Sequence, residues 1–395
     1  MHFTLTPEQE AWRQEVRAFF QRVMTPEVKE RVIRENRYDD PEIYKAIAQA
    51  GYTALSIFKE YGGMERGYTE IAIFTEEAIL AGVPHGVFSI FGSTVHFAAH
   101  AIIRLGTDDQ RKRFIPKILA GEMTSTQGFT EPGCGSDLAA VQTFAQPDGD
   151  DFIVNGQKIF NSAHIATHLF TLVRTDKNVP KHKGISILFI DLNSPGVTIQ
   201  PVHTVAGWRK NIVMLDNVRV PKANLVGEVN HGWYSLMNVI DLERSAMHMP
   251  VTRKKALDAL LDYLSEKKVS GKPALDSPLV RAKLADLYRE HLVGWLLSYK
   301  VLWMQETRQN ATAFASYQKV VNAEAVEHFA HQAMELVGPA ALIEGKGKLG
   351  KKWSAMNGIL ADMYLNARVQ QVGGGTVEIQ RNIIAERHLG VPRGS

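Results

Sequence analysis

A glycine-rich segment near the middle of the chain carries the side chains best suited to hold a polar ligand. It reads Gln127-Gly-Phe-Thr-Glu-Pro-Gly-Cys-Gly-Ser-Asp-Leu-Ala. Small residues around Thr130 and Ser136 let the backbone approach a ligand closely, and the hydroxyls and amides offer it fixed hydrogen bonds. A polar ring or a phosphate suits this chemistry. An ordinary capped turn would give the same pattern, so the segment alone leaves both readings open.

A single carboxylate lies on an otherwise apolar helix face. Leu236, Ile240, Glu243 and Met247 follow i, i+4, i+7 and i+11, which places them on one side of a predicted helix. A carboxylate in apolar surroundings is costly unless it is paired or used. Such surroundings also raise its pKa towards the working pH of a general base. Glu243 is therefore a candidate base, and the alternative is a buried ion pair with a neighbouring arginine.

Other motifs are imperfect matches to catalytic patterns. Gly345–Lys352 satisfies Gly-x-Gly-x-x-Gly, but Lys352 stands where a phosphate loop has Ser or Thr, and we expect a solvated loop after a helix. The pairs His96/His100 and His164/His168 have i, i+4 spacing without the glutamate of a zinc hydrolase, so no metal site is expected. The lone cysteine, Cys134, excludes an internal disulfide and is expected to pack as a small residue.

Composition limits the partners. The chain has 395 residues with 45 basic and 42 acidic side chains, giving a net charge of +3. This balance does not indicate nucleic acid or an anionic membrane as a partner. The first residues lack a basic and then apolar leader, and no run approaches the roughly 18 apolar residues of a membrane span. We expect a cytoplasmic protein with a small-molecule partner.

The hydrophobic period changes twice along the chain. It predicts a helical domain over residues 1–121, a β domain over 122–232 and a helical bundle over 233–395. Thr6 and Gln9, and Thr107 and Gln110, form capping-box patterns at helix starts. Asn155-Gly156 predicts a tight hairpin turn. Further strands are predicted at 169–175, 184–191, 197–202 and 212–220.

The motifs together resemble the acyl-CoA dehydrogenase family. The glycine-rich segment resembles its flavin signature, and Lys158-Ile-Phe-Asn-Ser resembles its next flavin motif, usually Lys-x-Trp-x-Thr. Asp216–Gly227 resembles the exit from its β domain, and Gly374–Arg393 its C-terminal signature. The similarity in order and spacing runs from Phe3 to Arg393.

The resemblance implies a multi-domain α+β fold: an N-terminal helical domain, a central β-barrel-like domain and a C-terminal four-helix bundle. It also implies FAD as the cofactor. By position, Phe160 would flank the flavin in place of the usual Trp, and the Ser162 hydroxyl would face its N5 edge in place of a Thr. Ser136 would also lie near the thioester. The remaining residues implied for the flavin and its phosphates are Gln127, Phe129, Thr130 and Gly135.

The implied reaction is α,β-dehydrogenation of an acyl-CoA, with a glutamate as base. Most of the family carries that glutamate where this chain has Gly374. A minority, including the isovaleryl-CoA and long-chain branches, carries it in an Asp-x-Glu-Arg segment, which resembles Asp241-Leu-Glu243-Arg244. The resemblance thus implies Glu243 as base, with Asp241 and Arg244 contacting the CoA ligand. Gly374 leaves room for a bulky or branched acyl group.

Contacts with a neighbouring subunit's FAD depart from the family pattern. Lys267 stands in place of an arginine, and Glu335-Leu-Val-Gly338-Pro in place of Gln-x-x-Gly-Gly. A lysine offsets a pyrophosphate without the bidentate fork of arginine. By contrast, Thr376 and Glu378 follow three glycines and begin a predicted helix, a suitable place for a phosphate or ribose.

The partners implied are an acyl-CoA thioester and an electron-transferring flavoprotein as electron acceptor. A dimer or tetramer of identical chains is expected. Two alternatives stay open: a subunit of a heteromeric acyl-CoA dehydrogenase, and a flavin oxidase or monooxygenase on the same fold. The acyl group is not readable from the sequence.

Overall fold

The computed structural model describes residues 4–35, 38–240, 247–345 and 347–392. The chain packs into two compact units, each built from separate stretches of sequence. Unit 1 contains the described residues of Met1–Arg37, Gly67–Val83 and Arg244–Ser395. Unit 2 contains those of Tyr38–Arg66 and Pro84–Glu243.

The α-helices are α1 (Pro7–Val23), α2 (Pro26–Arg34), α3 (Pro41–Gln49), α4 (Tyr68–Ala81), α5 (His85–Phe91), α6 (His100–Leu105), α7 (Asp108–Leu119), α8 (Gly232–Ile240), α9 (His248–Glu266), α10 (Pro278–Glu306), α11 (Thr312–Val337), α12 (Gly347–Trp353), α13 (Ile359–Val372) and α14 (Val377–Arg387). A π-helical segment, Gly92–Ala99, joins α5 to α6. The strands are β1 (Ser125–Gly128), β2 (Phe144–Asp148), β3 (Asp151–Asn161), β4 (His168–Arg174), β5 (Ile185–Asp191), β6 (Val197–His203), β7 (Arg209–Pro221), β8 (Leu225–Val226), β9 (Lys268–Val269) and β10 (Lys272–Pro273).

Unit 1 is helical. Helices α9, α10, α11 and α13 pack around a core that includes Leu260, Leu287, Phe329 and Leu360. Helix α1 begins with the predicted capping box of Thr6 and Gln9. It packs on α4, where Arg17 binds the buried Glu77 through two hydrogen bonds of 2.8 Å. The helical C-terminal part predicted from the sequence is confirmed.

Unit 2 contains a mixed eight-stranded sheet with the order β6-β7-β3-β2-β4-β5-β8, and β1 pairs in parallel with β4. The four longer strands predicted after residue 168 all form, within three residues of their predicted ends. Inward side chains of the sheet, among them Phe152, Leu169, Leu188 and Val213, build a continuous core. The capping box of Thr107 and Gln110 begins α7 as predicted.

A long apolar helix runs from His85 to Leu105. With 21 residues and a mean hydropathy of 1.5, it is long and apolar enough to cross a membrane by length and composition, although no such run was expected from the sequence. However, 83% of its most apolar window is buried inside the structure, as in the core helix of a globular protein.

The hairpin predicted at Asn155-Gly156 is wrong. Strand β3 runs straight through both residues, and the hairpin turn lies earlier, at Gly149, where β2 meets β3 and the φ of glycine is +55°. Gly156 instead marks a register shift against β7, at a φ of +152°. A Cβ on Gly156 would come within 2.5 Å of Thr143 Oγ1, so glycine is required for close approach of the backbones.

The lysine-rich segment also differs from its prediction. Residues 347–353 form α12 and not a loop, because lysine and leucine are good helix formers. The helix before this segment, α11, ends at Val337, before Gly338 with a φ of +78° and Pro339. Position 346 lies outside the described residues.

We predict that Gly156→Ala lowers the midpoint of thermal unfolding more than Gly149→Ala does. The first change combines a positive φ with overpacking against Thr143, which costs about 1–3 kcal/mol. Gly149 also has a positive φ, but a Cβ there meets no atom within 4 Å, which leaves only a strain of about 1 kcal/mol. Equal midpoints for the two variants, measured by differential scanning calorimetry, would contradict the close approach at Gly156.

Candidate active site

The glycine-rich segment forms a tight loop at the end of β1 in unit 2. Glu131 and Cys134 exchange backbone hydrogen bonds of 3.0 and 3.2 Å, which closes a turn at Pro132-Gly133. The Thr130 carbonyl accepts a 2.9 Å bond from the Ile159 N–H, so the loop is tied to β3. The Thr171 hydroxyl donates to the Gly128 carbonyl, where any Cβ would be within 3 Å of Leu169 and Thr171.

A buried ion pair holds this loop from inside. Lys158 on β3 is fully buried, and its Nζ donates to Glu131 Oε1 at 2.7 Å and to the Leu172 carbonyl at 2.7 Å. Glu131 also accepts backbone hydrogen bonds from Gln142 at 2.7 Å and Thr143 at 3.0 Å. Each oxygen of the carboxylate therefore has a donor, which is the condition for burying a charge.

Electrostatics keep the Glu131 carboxylate ionised. Burial alone would raise the pKa of Glu131, but the Lys158 ammonium and the surrounding hydrogen-bond donors outweigh it, and the pKa lies below its usual value. Burial lowers the pKa of the Lys158 ammonium, and the Glu131 carboxylate opposes that change. Burial, followed by the nearby Glu131 charge, raises the pKa of the Cys134 thiol. A raised pKa favours the neutral thiol, which is consistent with the packing role expected for Cys134.

The outer rim of the loop is open. Gln127, Phe129 and Thr130 are half-buried, whereas Gly135 and Ser136 are exposed. A Cβ on Gly135 would meet nothing within 4 Å, and the same holds for Gly133. The predicted loop residues are thus brought together on one edge of unit 2, with free space next to their backbone.

Phe160 is held in a strained backbone conformation. Its φ is +62° at a register shift between β3 and β7, and its ring is 62% exposed. A non-glycine residue in this region costs of order 1–3 kcal/mol and persists only where its surroundings enforce it. Here the flanking residues Ile159 and Asn161 are both paired, with Ile212 and Asn211 of β7. The structure therefore holds a large aromatic ring out of the sheet.

Ser162 lies two residues further, with only 2% of its surface exposed. Its backbone N–H donates to Thr126 Oγ1 at 3.0 Å, which links it to β1. Its hydroxyl oxygen accepts a 3.4 Å bond from Lys210 Nζ on β7. Phe160 and Ser162 thus lie at the end of β3, close in sequence to Ile159, whose N–H is bonded to the loop.

These residues fit a flat ligand with polar edges and phosphates, as FAD has. Phe160 offers the face of a ring, and Ser162 and Thr130 offer hydroxyls. The open backbone at Gly133 and Gly135 admits close approach of a phosphate. The Lys158–Glu131 pair keeps the whole loop fixed before any ligand binds.

The other predicted cofactor residues lie in unit 1. Lys267 Nζ donates to the Val337 carbonyl at 2.6 Å and so caps the end of α11, next to Gly338. Thr376 caps the N-terminus of α14 as expected, accepting from the Ile379 N–H at 3.3 Å. Glu378 lies in the first turn of that helix, where hydrogen bonds from its own backbone and from Thr376 lower its pKa.

Two residues that depart from the family pattern, Glu335 and Gly374, lie in unit 1. Glu335 is paired with Lys283 at 2.9 Å. Gly374 has a φ of +72°, and a Cβ there would meet nothing within 4 Å. The predicted base Glu243, with Asp241 and Arg244, lies outside the described residues. Their sequence neighbours Val239 and Met247 are both buried.

The histidine pairs have ordinary partners. His96 and His100 both contact Ser56, at 3.5 and 3.0 Å, and burial lowers the pKa of His96 to about 4 and that of His100 to about 3. His164 binds Asp39 at 2.8 Å, and His168 binds Thr167 at 2.9 Å. Within the described ranges, no group of three or more potential ligands could hold a metal ion.

Glu131, Lys158 and Lys210 were not predicted from the sequence as residues of the site. Lys158 was recognised only as part of a motif. The sequence alone does not show whether a lysine on a strand points into the core or towards solvent, because that depends on its partner. The one available signal was alternation: Phe152 and Val154 point inward, and after the register shift at Gly156 so does Lys158.

Comparison with known proteins agrees with this architecture. Models of the acyl-CoA dehydrogenase N-terminal, middle and C-terminal domains match residues 6–122, 126–218 and 230–389. Acyl-CoA dehydrogenase FadE26 of Mycobacterium tuberculosis is 35% identical over 408 residues, with 100% of both chains covered. The crystal structure of the ChsE4-ChsE5 complex from Mycobacterium tuberculosis has a TM-score of 0.91 at 34% identity, and the Tcur3481-Tcur3483 steroid ACAD one of 0.90 at 29%, each with 100% of both chains covered. The family predicted from the motifs is confirmed: the chain belongs to the acyl-CoA dehydrogenases, a family of FAD-dependent oxidoreductases, and has their N-terminal helical, central mixed-sheet and C-terminal helical domains.

Proposed function

We propose that this chain binds FAD and oxidises an acyl-CoA thioester to the 2-enoyl-CoA. The observation that carries the proposal is the pre-formed edge of unit 2. A loop fixed by a buried ion pair lies there beside a strained, exposed Phe160 and a buried Ser162 hydroxyl. Strain of this kind clusters at ligand sites, because the fold must maintain it for a purpose other than stability.

Each residue of that edge has a role towards FAD. The Phe160 ring packs on the flavin, and the Ser162 hydroxyl donates a hydrogen bond to it. Thr130, Gly135 and Ser136 bind its phosphates, while Gln127 and Phe129 line the ring. Lys267 and Gly338 are proposed to contact the FAD of a neighbouring subunit, and Thr376 and Glu378 to contact a phosphate or ribose of FAD. When bound, FAD supplies an electron acceptor, at N5, for the hydride that leaves the β carbon.

Glu243 is the proposed base, and Asp241 and Arg244 are proposed to contact the CoA portion. The base takes the α proton, so that the electrons of that C–H bond form the new double bond as the β hydride leaves. The usual position of the family's glutamate is filled by Gly374, which has no side chain to act.

A bulky acyl group is the proposed substrate class. Gly374 carries no side chain and has free space around it, which supports room for branched or ring-derived acyl groups. One similar complex is named a steroid ACAD, which supports including ring-derived thioesters in a screen. Anaerobic bleaching of the flavin by a panel of acyl-CoA thioesters tests this class. Reduction by straight short chains alone would contradict it.

The proposed electron acceptor is an electron-transferring flavoprotein, as the family implies, and the proposed assembly is a dimer or tetramer of identical chains. The cytoplasmic location stays a prediction.

A heteromeric assembly is a second candidate. Lys267 and Glu335 stand where the family pattern has arginine and glutamine. Both are bound within their own chain, Lys267 to the Val337 carbonyl and Glu335 to Lys283. One similar structure is named the ChsE4-ChsE5 complex, and another carries the two protein names Tcur3481-Tcur3483. In that arrangement a partner chain would complete the cofactor site.

We predict that Glu243→Gln retains FAD but slows anaerobic reduction of the flavin by acyl-CoA at least about 10²-fold, the lower range for loss of a general base. The amide keeps the size of the side chain and removes its basicity. Stopped-flow absorbance of the flavin measures the rate. Glu266→Gln, on the exposed end of α9, is the matched control and should reduce at the wild-type rate.

The variant Asp241→Asn tests whether Asp241 contacts the CoA portion or acts as the base. It should weaken binding of acyl-CoA and leave the rate at saturating substrate nearly unchanged. A Glu243→Gln enzyme that bleaches at the wild-type rate, with Asp241→Asn inactive, would move the base to Asp241.

We predict about one FAD per purified chain if the enzyme consists of identical chains. Lys267→Arg combined with Glu335→Gln should then tighten FAD binding, because it restores the fork and removes a negative charge. Titration of apoprotein with FAD measures both the number of FAD molecules bound per chain and the affinity. FAD that is absent from the isolated chain and is restored by a co-expressed partner chain would establish the heteromer instead.

A further inference from the structure

Lys210 contacts Ser162, the residue predicted to face the flavin, and is not part of any motif recognised in the sequence. It is half-buried on β7, and its ammonium donates to the Tyr38 hydroxyl at 2.8 Å and to Ser162 Oγ at 3.4 Å. Its Nζ also lies 4.5 Å from the centre of the Tyr38 ring. In the part of the chain that the structure describes, no carboxylate lies within ion-pair distance of it, so its charge is not neutralised by an acid.

The direction of these hydrogen bonds is fixed by the chemistry of an ammonium group. Lysine has three donors and no acceptor, so both hydroxyl oxygens must accept. The Tyr38 hydroxyl can then donate a hydrogen bond to His85 Nδ1, 3.3 Å away. The backbone N–H of Ser162 is already used by Thr126 Oγ1. The hydroxyl proton of Ser162 is thereby directed away from Lys210 and is available to a ligand.

Tyr38 holds the ammonium in place. It is buried, with its ring 4.5 Å from that of Trp208 and 5.7 Å from that of His85. Trp208 directly precedes the start of β7, so the aromatic cluster and Lys210 belong to one stretch of chain. The position of the ammonium therefore depends on packing as well as on its hydrogen bonds.

We propose that Lys210 is a positioning residue for the redox reaction. It fixes the Ser162 hydroxyl as a donor to bound flavin, and its charge stabilises the negative charge that the flavin gains on reduction. This inference rests on the proposed binding of FAD at Ser162. Lys210 favours the reduced form of the cofactor and contributes little to binding of the thioester.

The test is Lys210→Met, which keeps the length of the side chain and removes its charge, against Lys222→Met on the exposed turn after β7. We expect Lys210→Met to weaken binding of reduced relative to oxidised flavin about tenfold, the size of one charge-assisted hydrogen bond. This equals a fall of about 30 mV in the two-electron midpoint potential. Flavin reduction should slow with little change in KM, Lys210→Arg should recover part of the loss, and Lys222→Met should match wild type.

A double-mutant cycle shows whether Lys210 acts through Ser162. In a Ser162→Ala background, Lys210→Met should change the potential clearly less than in wild type. If Lys210→Met does not fold, Lys210→Gln has the same expected result. An unchanged potential, or an equal change in both backgrounds, overturns the inference while acyl-CoA oxidation stands. A wild-type protein that takes up no FAD overturns the proposed function and this inference together.

Discussion

Removing a glutamate and a lysine from water together costs several kcal/mol per charge, and this protein does so at Glu131 and Lys158. The cost is offset because the carboxylate receives two backbone N–H groups and the ammonium meets a carbonyl. Those same bonds join the glycine-rich loop to the residues just before β2, to β3 and to β4. The ion pair thus clamps the glycine-rich loop, which has little conformational preference of its own, to three neighbouring pieces of backbone.

The features of the candidate site follow from that clamp. With the loop fixed, the Thr130 carbonyl can hold the Ile159 N–H, and Phe160 is forced to a positive φ between two paired residues. Ser162 is in turn held by Thr126 and Lys210. A ligand that binds here meets groups already in position, so little of its binding energy is lost to ordering the protein.

How far the sequence could predict this structure differs from element to element. Capping boxes at Thr6 and Thr107 were readable, because they depend on residues three positions apart. The absence of a turn at Asn155-Gly156 was not, because the need for glycine comes from Thr143, which directly precedes another strand, β2. The same holds for Lys158, whose burial depends on a glutamate 27 residues earlier. The boundaries at residues 121 and 232 stay a prediction. Residues 38–66 belong to unit 2 and residues 67–83 to unit 1. The hydrophobic period cannot reveal this assignment, because it depends on contacts between residues far apart in the sequence.

The most direct measurement on the central claim is FAD affinity of Lys158→Met compared with the pair variant Glu131→Gln/Lys158→Met. The single change leaves a buried carboxylate without its cation, which costs about 3–5 kcal/mol, whereas the double change removes both charges. Titration of folded apoprotein with FAD should show strongly weakened binding for Lys158→Met and substantial recovery in the pair variant. Wild-type affinity in Lys158→Met would contradict the account, because the loop would then hold its shape without the buried ion pair.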